Sequence, residues 1–157
     1  MILHGDITVG AAKAEEADVA ALLMRHHAMM RAQSPEESCH VQTLTELTRD
    51  AAQVLACRRG GLLLGVGAFK PLDAAHAELK SMHVISEARG QGAGRALLLA
   101  LLEAARQAGH RRISLETGSA PEFTAARGLY AAQGFTPCPP FGGYVDDPLS
   151  LYMTRAL

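Results

Sequence analysis

Val84-Ile85-Ser86-Glu87-Ala88-Arg89-Gly90-Gln91-Gly92-Ala93-Gly94-Arg95 joins the end of an apolar strand to the start of a long helix. Glycines at 90, 92 and 94 remove Cβ atoms where a ligand must approach the backbone, and the orphan N–H groups of the following helix, with its positive dipole end, point at a bound anion. Arg89 and Arg95 add positive charge at the two edges of the loop. The junction therefore reads as a cradle for pyrophosphate.

Three phosphate-loop patterns compete for it. The P-loop pattern G-x-x-x-x-G-K-[ST] fails because Gly94 is followed by Arg95-Ala96, so both the Lys and the metal-binding hydroxyl are missing. The dinucleotide fingerprint gains from Glu116, at the end of the next strand and near the expected offset. It fails on spacing, since residues 85–89 intervene between strand and first glycine, Arg95 stands where close helix–strand packing wants Gly or Ala, and the chain has no room for a second mononucleotide-binding half. The third pattern is Arg-x-x-Gly-x-Gly, met by Arg89, Gly92 and Gly94. A glycine-rich loop alone is more often a plain turn than a ligand site.

A second motif follows in order. After the strand Arg112-Ile113-Ser114-Leu115-Glu116-Thr117 comes Ala125-Ala126-Arg127-Gly128-Leu129-Tyr130-Ala131-Ala132-Gln133-Gly134-Phe135, a short helix carrying A-x-x-L-Y and closing on G-F. The two motifs together resemble the GNAT superfamily of acyl-CoA-dependent N-acyltransferases, strongly over residues 76–157 and more weakly over 6–75. Ser34-Pro35-Glu36-Glu37-Ser38-Cys39-His40, Leu115-Glu116-Thr117-Gly118-Ser119 and Pro140-Phe141-Gly142-Gly143-Tyr144 resemble a bacterial branch of unassigned substrate. The resemblance implies acetyl-CoA as co-substrate, cradled by Arg89, Gly90, Gln91, Gly92, Ala93, Gly94 and Arg95. Its pantetheine arm would run along the backbone of Met82, His83 and Val84, with Phe123 and Ala126 beside it. Many members carry Asn seven residues before the motif Tyr; this chain has Phe123, so that polar contact is absent, replaced by backbone or taken over by Ser119 or Thr124.

Composition fits one domain over 1–157. A chain of 157 residues buries roughly two thirds of its unfolded surface and needs neither disulfide nor metal. A net charge of −1 without a basic stripe argues against nucleic acid. The three cysteines, Cys39, Cys57 and Cys138, are odd in number and unpatterned, which suits a reducing cytoplasm and small buried hydrophobes. Met1-Ile2-Leu3-His4-Gly5-Asp6 has no basic n-region or apolar h-region, and the apolar run 96–102 is too short to span a bilayer. A cytoplasmic protein without membrane contact is expected.

Strands and helices alternate without repeats. Ile7–Val9 reads as a strand, 15–33 as a helix with Val19, Leu22, Leu23, Met29 and Met30 near one face, and 43–49 as a second helical piece. Residues 53–57 and 62–69 form a hairpin about Arg59-Gly60-Gly61, and 77–85 is a further strand. A helix over 92–108 buries Leu97, Leu98, Leu101, Leu102 and Ala105 and stops at Gly109. Strand 112–117, helix 121–132 and late strands near Phe135 and over 149–154 complete the chain. Strand-helix-strand spacing across 77–117 implies one right-handed parallel crossover in an otherwise antiparallel sheet. The expected class is α/β (α+β), a mixed, mostly antiparallel sheet of about seven strands with about four flanking helices, GNAT-like.

On the strand 77–85, period-two alternation puts Glu78, Lys80, Met82 and Val84 on one side and Leu79, Ser81, His83 and Ile85 on the other. A doubly covered central strand should be apolar, so Glu78, Lys80 and His83 need partners or a cleft. Amide formation from a thioester needs a base for the amine, a donor for the oxyanion and a proton for the thiolate. Glu78 and Glu116, at corresponding positions on adjacent strands, are the base candidates, with His83 and His40 in reserve; a salt bridge to Lys80 is the plain alternative for Glu78, and helix capping for Glu116. Tyr130 matches the superfamily's thiolate-protonating tyrosine, against a role in core packing. His40, Lys80 and Arg127 are the acceptor-side candidates. The histidines lack metal-ligand spacing, His26 and His27 being adjacent on a helix, so no metal is expected.

The expected activity is transfer of an acetyl group from acetyl-CoA to the primary amine of a small molecule or amino acid by direct attack. A non-catalytic acyl-CoA sensor, a protein N-terminal or lysine acetyltransferase, and a nucleotide-binding module are the alternatives. The proline-stiffened run from Pro137 to Tyr144 borders the acceptor pocket or a homodimer interface.

Overall fold

The computed structural model describes residues 2–4, 6–35 and 38–157, the first three by backbone alone; Met1 and Gly5 of the N-terminal stretch and Glu36 and Glu37 of the Ser34–His40 stretch lie outside the described residues. Eight strands form a single sheet: β1 (Ile2–His4), β2 (Ile7–Ala12), β3 (Gln53–Arg59), β4 (Leu62–Pro71), β5 (His76–Val84), β6 (Arg112–Gly118), β7 (Thr136–Pro137) and β8 (Ser150–Ala156), in the spatial order β1-β2-β3-β4-β5-β6-β8-β7. Every pair is antiparallel except β5 with β6. The expected mixed sheet with one parallel crossover is what the structure has, with the short β1 as an additional edge. Among the described residues no helix is long and apolar enough to cross a membrane.

Helices α1 (Ala17–Gln33) and α2 (Leu44–Arg49) cover one face of the sheet, and α3 (Ala93–Gln107) and α4 (Thr124–Ala132) the other. Thr43 and Glu46 close a capping box that starts α2. Helix α3 ends as its sequence requires, with Gly109 at φ 96° and the His110 N–H donating back to the Ala105 carbonyl. Its stripe of Leu97, Leu98 and Leu101 is fully buried, each side chain contributing about 1.5–3 kcal/mol of apolar burial. A Cβ at Gly67 of β4 would lie 2.7 Å from Leu101 Cδ1, so glycine there sets how closely α3 approaches the sheet. On α1, Val19, Leu22, Leu23 and His26 are buried at helical spacing, whereas Met29 and Met30 are half-buried. Of the cysteines only Cys57 is buried; all three are free.

One local irregularity decides the site. Val66 faces His83 and Ala68 faces Lys80, so Ser81 and Met82 together oppose Gly67, and Ser81 has φ 55°. This β-bulge reverses the alternation beyond it. Met82 and Val84 consequently pack with Ala77 and Leu79 toward α3, while His83 joins Glu78 and Lys80 on the α1 face, contrary to the side assignments expected from strict period two.

Candidate active site

Strands β5 and β6 pair only through His76–Arg112, Ala77–Ile113 and Glu78–Ser114, and then diverge. A cavity of about 610 Å³ passes through the sheet at this splay. Its α3 side is lined by Arg89, Gly90, Gly92, Gly94 and Arg95 of the loop and by Ala126, Leu129 and Tyr130 of α4. Its α1 side is lined by His26, Met29, Met30, Cys39, His40 and Lys80, and Met82, His83, Val84 and Glu116 stand on the strands between.

The loop has the conformation its glycines permit. Gly90 and Gly92 are left-handed, at φ 76° and 86°, and Gly92 is the N-cap of α3, which has no side-chain cap. The first-turn N–H groups are therefore left for a ligand. Gly94 lets α4 close in, since a Cβ there would sit 3.3 Å from Leu129 Cδ2. Two loop residues expected to bind the cofactor do not line the cavity. Gln91 braces the loop instead, its amide donating to the Glu87 carbonyl and accepting from Arg59 at 2.9 Å, and Ala93 is fully buried in the core.

Phe123 lines the cavity where the resemblance leads one to look for Asn, and its ring occupies the space a Cβ at Gly118 would need, 2.2 Å from Phe123 Cδ2. Of the two suggested substitutes, the Ser119 hydroxyl spends its proton on the Pro148 carbonyl, whereas the Thr124 hydroxyl accepts from Arg127 and keeps its own proton to donate. Arg127 also departs from its expected place on the acceptor side. Its guanidinium donates to the carbonyls of Gly118 and Ala120, and it borders a separate depression between α4 and β8.

The two glutamates part company. Glu78 pairs with Ser114 rather than corresponding to Glu116, is 2 % exposed and does not line the cavity. It accepts from the Tyr144 hydroxyl and pairs with Lys80 at 3.4 Å and Lys70 at 3.9 Å. Burial of this kind sets it aside as the group that meets an amine. Glu116, two residues beyond the last paired position, lines the cavity and accepts from the Ser150 hydroxyl at 2.8 Å. Desolvation raises its carboxyl above the usual range, against the Ser150 hydrogen bond and the positive fields of His40 and Lys80; Glu78 adds to the rise.

Tyr130 is 8 % exposed, its hydroxyl has no hydrogen-bond partner among the described residues, and its ring packs edge-on against Phe135. Burial, with Glu116 nearby, pushes its phenol up to about 12. A second feature lay outside the sequence reading. His26 of α1 and His83 of β5 meet with their Nδ1 atoms 3.1 Å apart. Desolvation, then His83, His27 and Lys80, lower His26 to about 3, and desolvation with Arg89 and Arg25 lowers His83, so both rings are neutral at pH 7. The buried stripe of α1 was the available signal, since His26 falls at its i+7 position.

A family model matches residues 21–135: the acetyltransferase (GNAT) family. The chain belongs to that family. It is similar to the uncharacterized N-acetyltransferase YsnE of Bacillus subtilis, 38% identical over 139 residues, covering 88% of this chain and 92% of that protein. It is 40% identical over 125 residues to the IAA acetyltransferase of Azospirillum brasilense, covering 78% and 80%. Among solved structures, a candidate acyl-CoA N-acyltransferase from Klebsiella pneumoniae superimposes with a TM-score of 0.77 at 28% identity, covering 96% and 97%. This GNAT protein is an acyl-CoA-dependent acetyltransferase, and the left-handed glycines, the uncapped α3 N-terminus and the two loop arginines fit the pyrophosphate of such a co-substrate. Among the described residues no group of three His, Cys, Asp or Glu could hold a metal ion.

Proposed function

We propose that this acetyltransferase moves the acetyl group of acetyl-CoA to the primary amine of a small molecule by direct attack, with Glu116 as the base and Tyr130 as the donor to the sulfur. The observation that carries this reading is that Glu116 and Tyr130, from β6 and α4, share one field inside the cavity that continues to the glycine loop. The loop and Arg89 bind the diphosphate, and the backbone of Met82 to Val84, freed where β5 leaves β6, receives the pantetheine arm. An ammonium entering from the α1 side loses one proton to Glu116, whose raised affinity for protons suits it to that exchange. The freed lone pair forms the new C–N bond as the C–S bond breaks. The second proton that the nitrogen sheds passes to the departing sulfur, which leaves as the thiol, and Glu116 returns its proton to solvent. Tyr130 remains a phenol throughout neutral pH and stabilises the departing sulfur's charge by donating a hydrogen bond, which for a charged acceptor contributes about 1.5–3 kcal/mol.

The test is steady-state acetyl transfer over amines, amino acids, a peptide N-terminus and IAA, the last because of the Azospirillum relative's name. Turnover of small amines is expected. Glu116→Gln should lower kcat by on the order of 10²-fold or more at pH 7, recovering toward high pH where the amine deprotonates unaided. Turnover confined to the peptide would replace the small-molecule acceptor. Retained acetyl-CoA binding with no turnover of any acceptor would make the protein an acyl-CoA sensor.

A further inference from the structure

Glu78 and Lys80 stand two residues apart on a central strand, both buried, on the face of the sheet that carries the acceptor side of the cavity. Lys80 Nζ donates to the His40 carbonyl at 3.0 Å and to the Tyr144 hydroxyl at 3.1 Å, and lies 3.4 Å from Glu78 Oε2. Two of the three donors of the ammonium are thus engaged by chain, and its charge is paired with the Glu78 carboxylate. Lys80 therefore lines the cavity with most of its bonding capacity turned to the protein. What it grips is chain: His40 belongs to the segment after α1, and Tyr144 to the segment between β7 and β8.

Those segments also hold each other. The Ser38 hydroxyl donates to Asp147, and the His40 and Tyr144 rings meet edge to face at 4.9 Å. Tyr144 closes the circuit by donating to Glu78. The groups facing Glu116 are thus Lys80 and Glu78 from β5, His40 from the first segment, Tyr144 from the second, Ser150 and Tyr152 from β8, and Tyr130 from α4.

Building on the reading of Glu116 as the base, we propose that Glu78, Lys80 and Tyr144 form a positioning cluster, which pins the two acceptor-side segments to β5 and sets the charge that Glu116 experiences. The charge part has a sign. Lys80 favours the ionised carboxylate of Glu116 and Glu78 opposes it, whereas Tyr144 holds the wall without carrying charge, burial and Glu78 keeping its phenol far up.

The test is the pH dependence of kcat/KM for the best small amine. Lys80→Met should move the acidic limb upward by on the order of one pH unit, and Glu78→Gln should move it downward by a smaller amount. Lys70 retains Asp50 as its partner in the second variant. Tyr144→Phe should leave the limb in place and raise the acceptor KM several-fold, with acetyl-CoA affinity by calorimetry unchanged. If Lys80→Met does not fold, the paired variant Glu78→Gln with Lys80→Met removes both charges together, and its limb should lie near that of the wild type. Limbs unmoved, or moved in the same direction by both charge changes, would overturn the cluster's role while leaving Glu116 as base. An acidic limb that survives in Glu116→Gln would instead remove the base reading itself.

Discussion

At the phosphate-loop end the cavity is lined by a loop whose glycines lie within a few residues of one another. At the acceptor end the lining comes from three distant stretches, His26 on α1, His40 after it and Lys80 on β5, and Tyr144 before β8 braces the last two from outside the cavity. The first construction depends on φ angles and a helix terminus, both local properties. The second depends on which face each strand residue takes and on where loops from the two ends of the chain settle. Local construction tolerates little substitution at one or two positions; distributed construction spreads the consequence over several partners.

The comparison breaks most severely at Gly92. Its φ of 86° costs a residue with a side chain about 1–2 kcal/mol, more when the side chain is β-branched, and in the proposed binding mode a Cβ would stand in the path of the diphosphate. Displacing even one charge-assisted backbone bond costs about 1.5–3 kcal/mol. Gly92→Val should therefore weaken acetyl-CoA binding by on the order of 10³-fold, with the far-ultraviolet circular dichroism of the folded protein retained. Calorimetry with wild-type affinity in this variant would mean that the phosphates lie elsewhere.

Tyr130 sits between the two constructions, carried by a local motif but lining the shared cavity. Tyr130→Phe keeps the ring against Phe135 and deletes only the donor, so kcat should fall by roughly 10²-fold, the upper part of what a hydrogen bond to a charged group supplies, with little change in either KM. Unchanged kcat under conditions where chemistry limits the rate would leave the tyrosine as packing alone.

The same contrast explains what the sequence disclosed. Glycine spacing, the strand-helix-strand crossover and the A-x-x-L-Y helix are short-range patterns, and the elements they announce are found at nearly the expected boundaries. The bulge at Ser81 is a tertiary event: one extra residue opposite Gly67 exchanges the faces of Met82 and His83, and nothing in Leu79-Lys80-Ser81-Met82-His83 marks where alternation stops. Glu78 was recognisable as out of place on an apolar strand, but its partner Tyr144 lies 66 residues away, so burial by that partner was not. Arg127 resembled an acceptor ligand by charge, whereas on its helix it turns back to satisfy the carbonyls of Gly118, at the end of β6, and Ala120.

The acceptor end should also be where the fold responds to acid, because His26 and His83 meet there and burial lowers both. His26 has a folded pKa of about 3 against an ordinary 6.5. Between those values the unfolded chain binds the proton and the folded chain does not, so the stability tied to His26 is fully present above pH 6.5 and is lost as pH falls toward 3. Between pH 8 and pH 5 that loss is about 2 kcal/mol for this one group, and His83, lowered in the same direction, adds to it. Urea unfolding at the two pH values should show the wild type losing about 2 kcal/mol more than His26→Leu, which keeps an apolar side chain on the buried stripe of α1. The substitution also removes the 3.1 Å contact with His83, so the difference between the two pH values, rather than stability at either one, is the diagnostic quantity. Equal losses in both proteins would show that His26 takes up its proton without unfolding the site, and that the acceptor end is open enough to hydrate it.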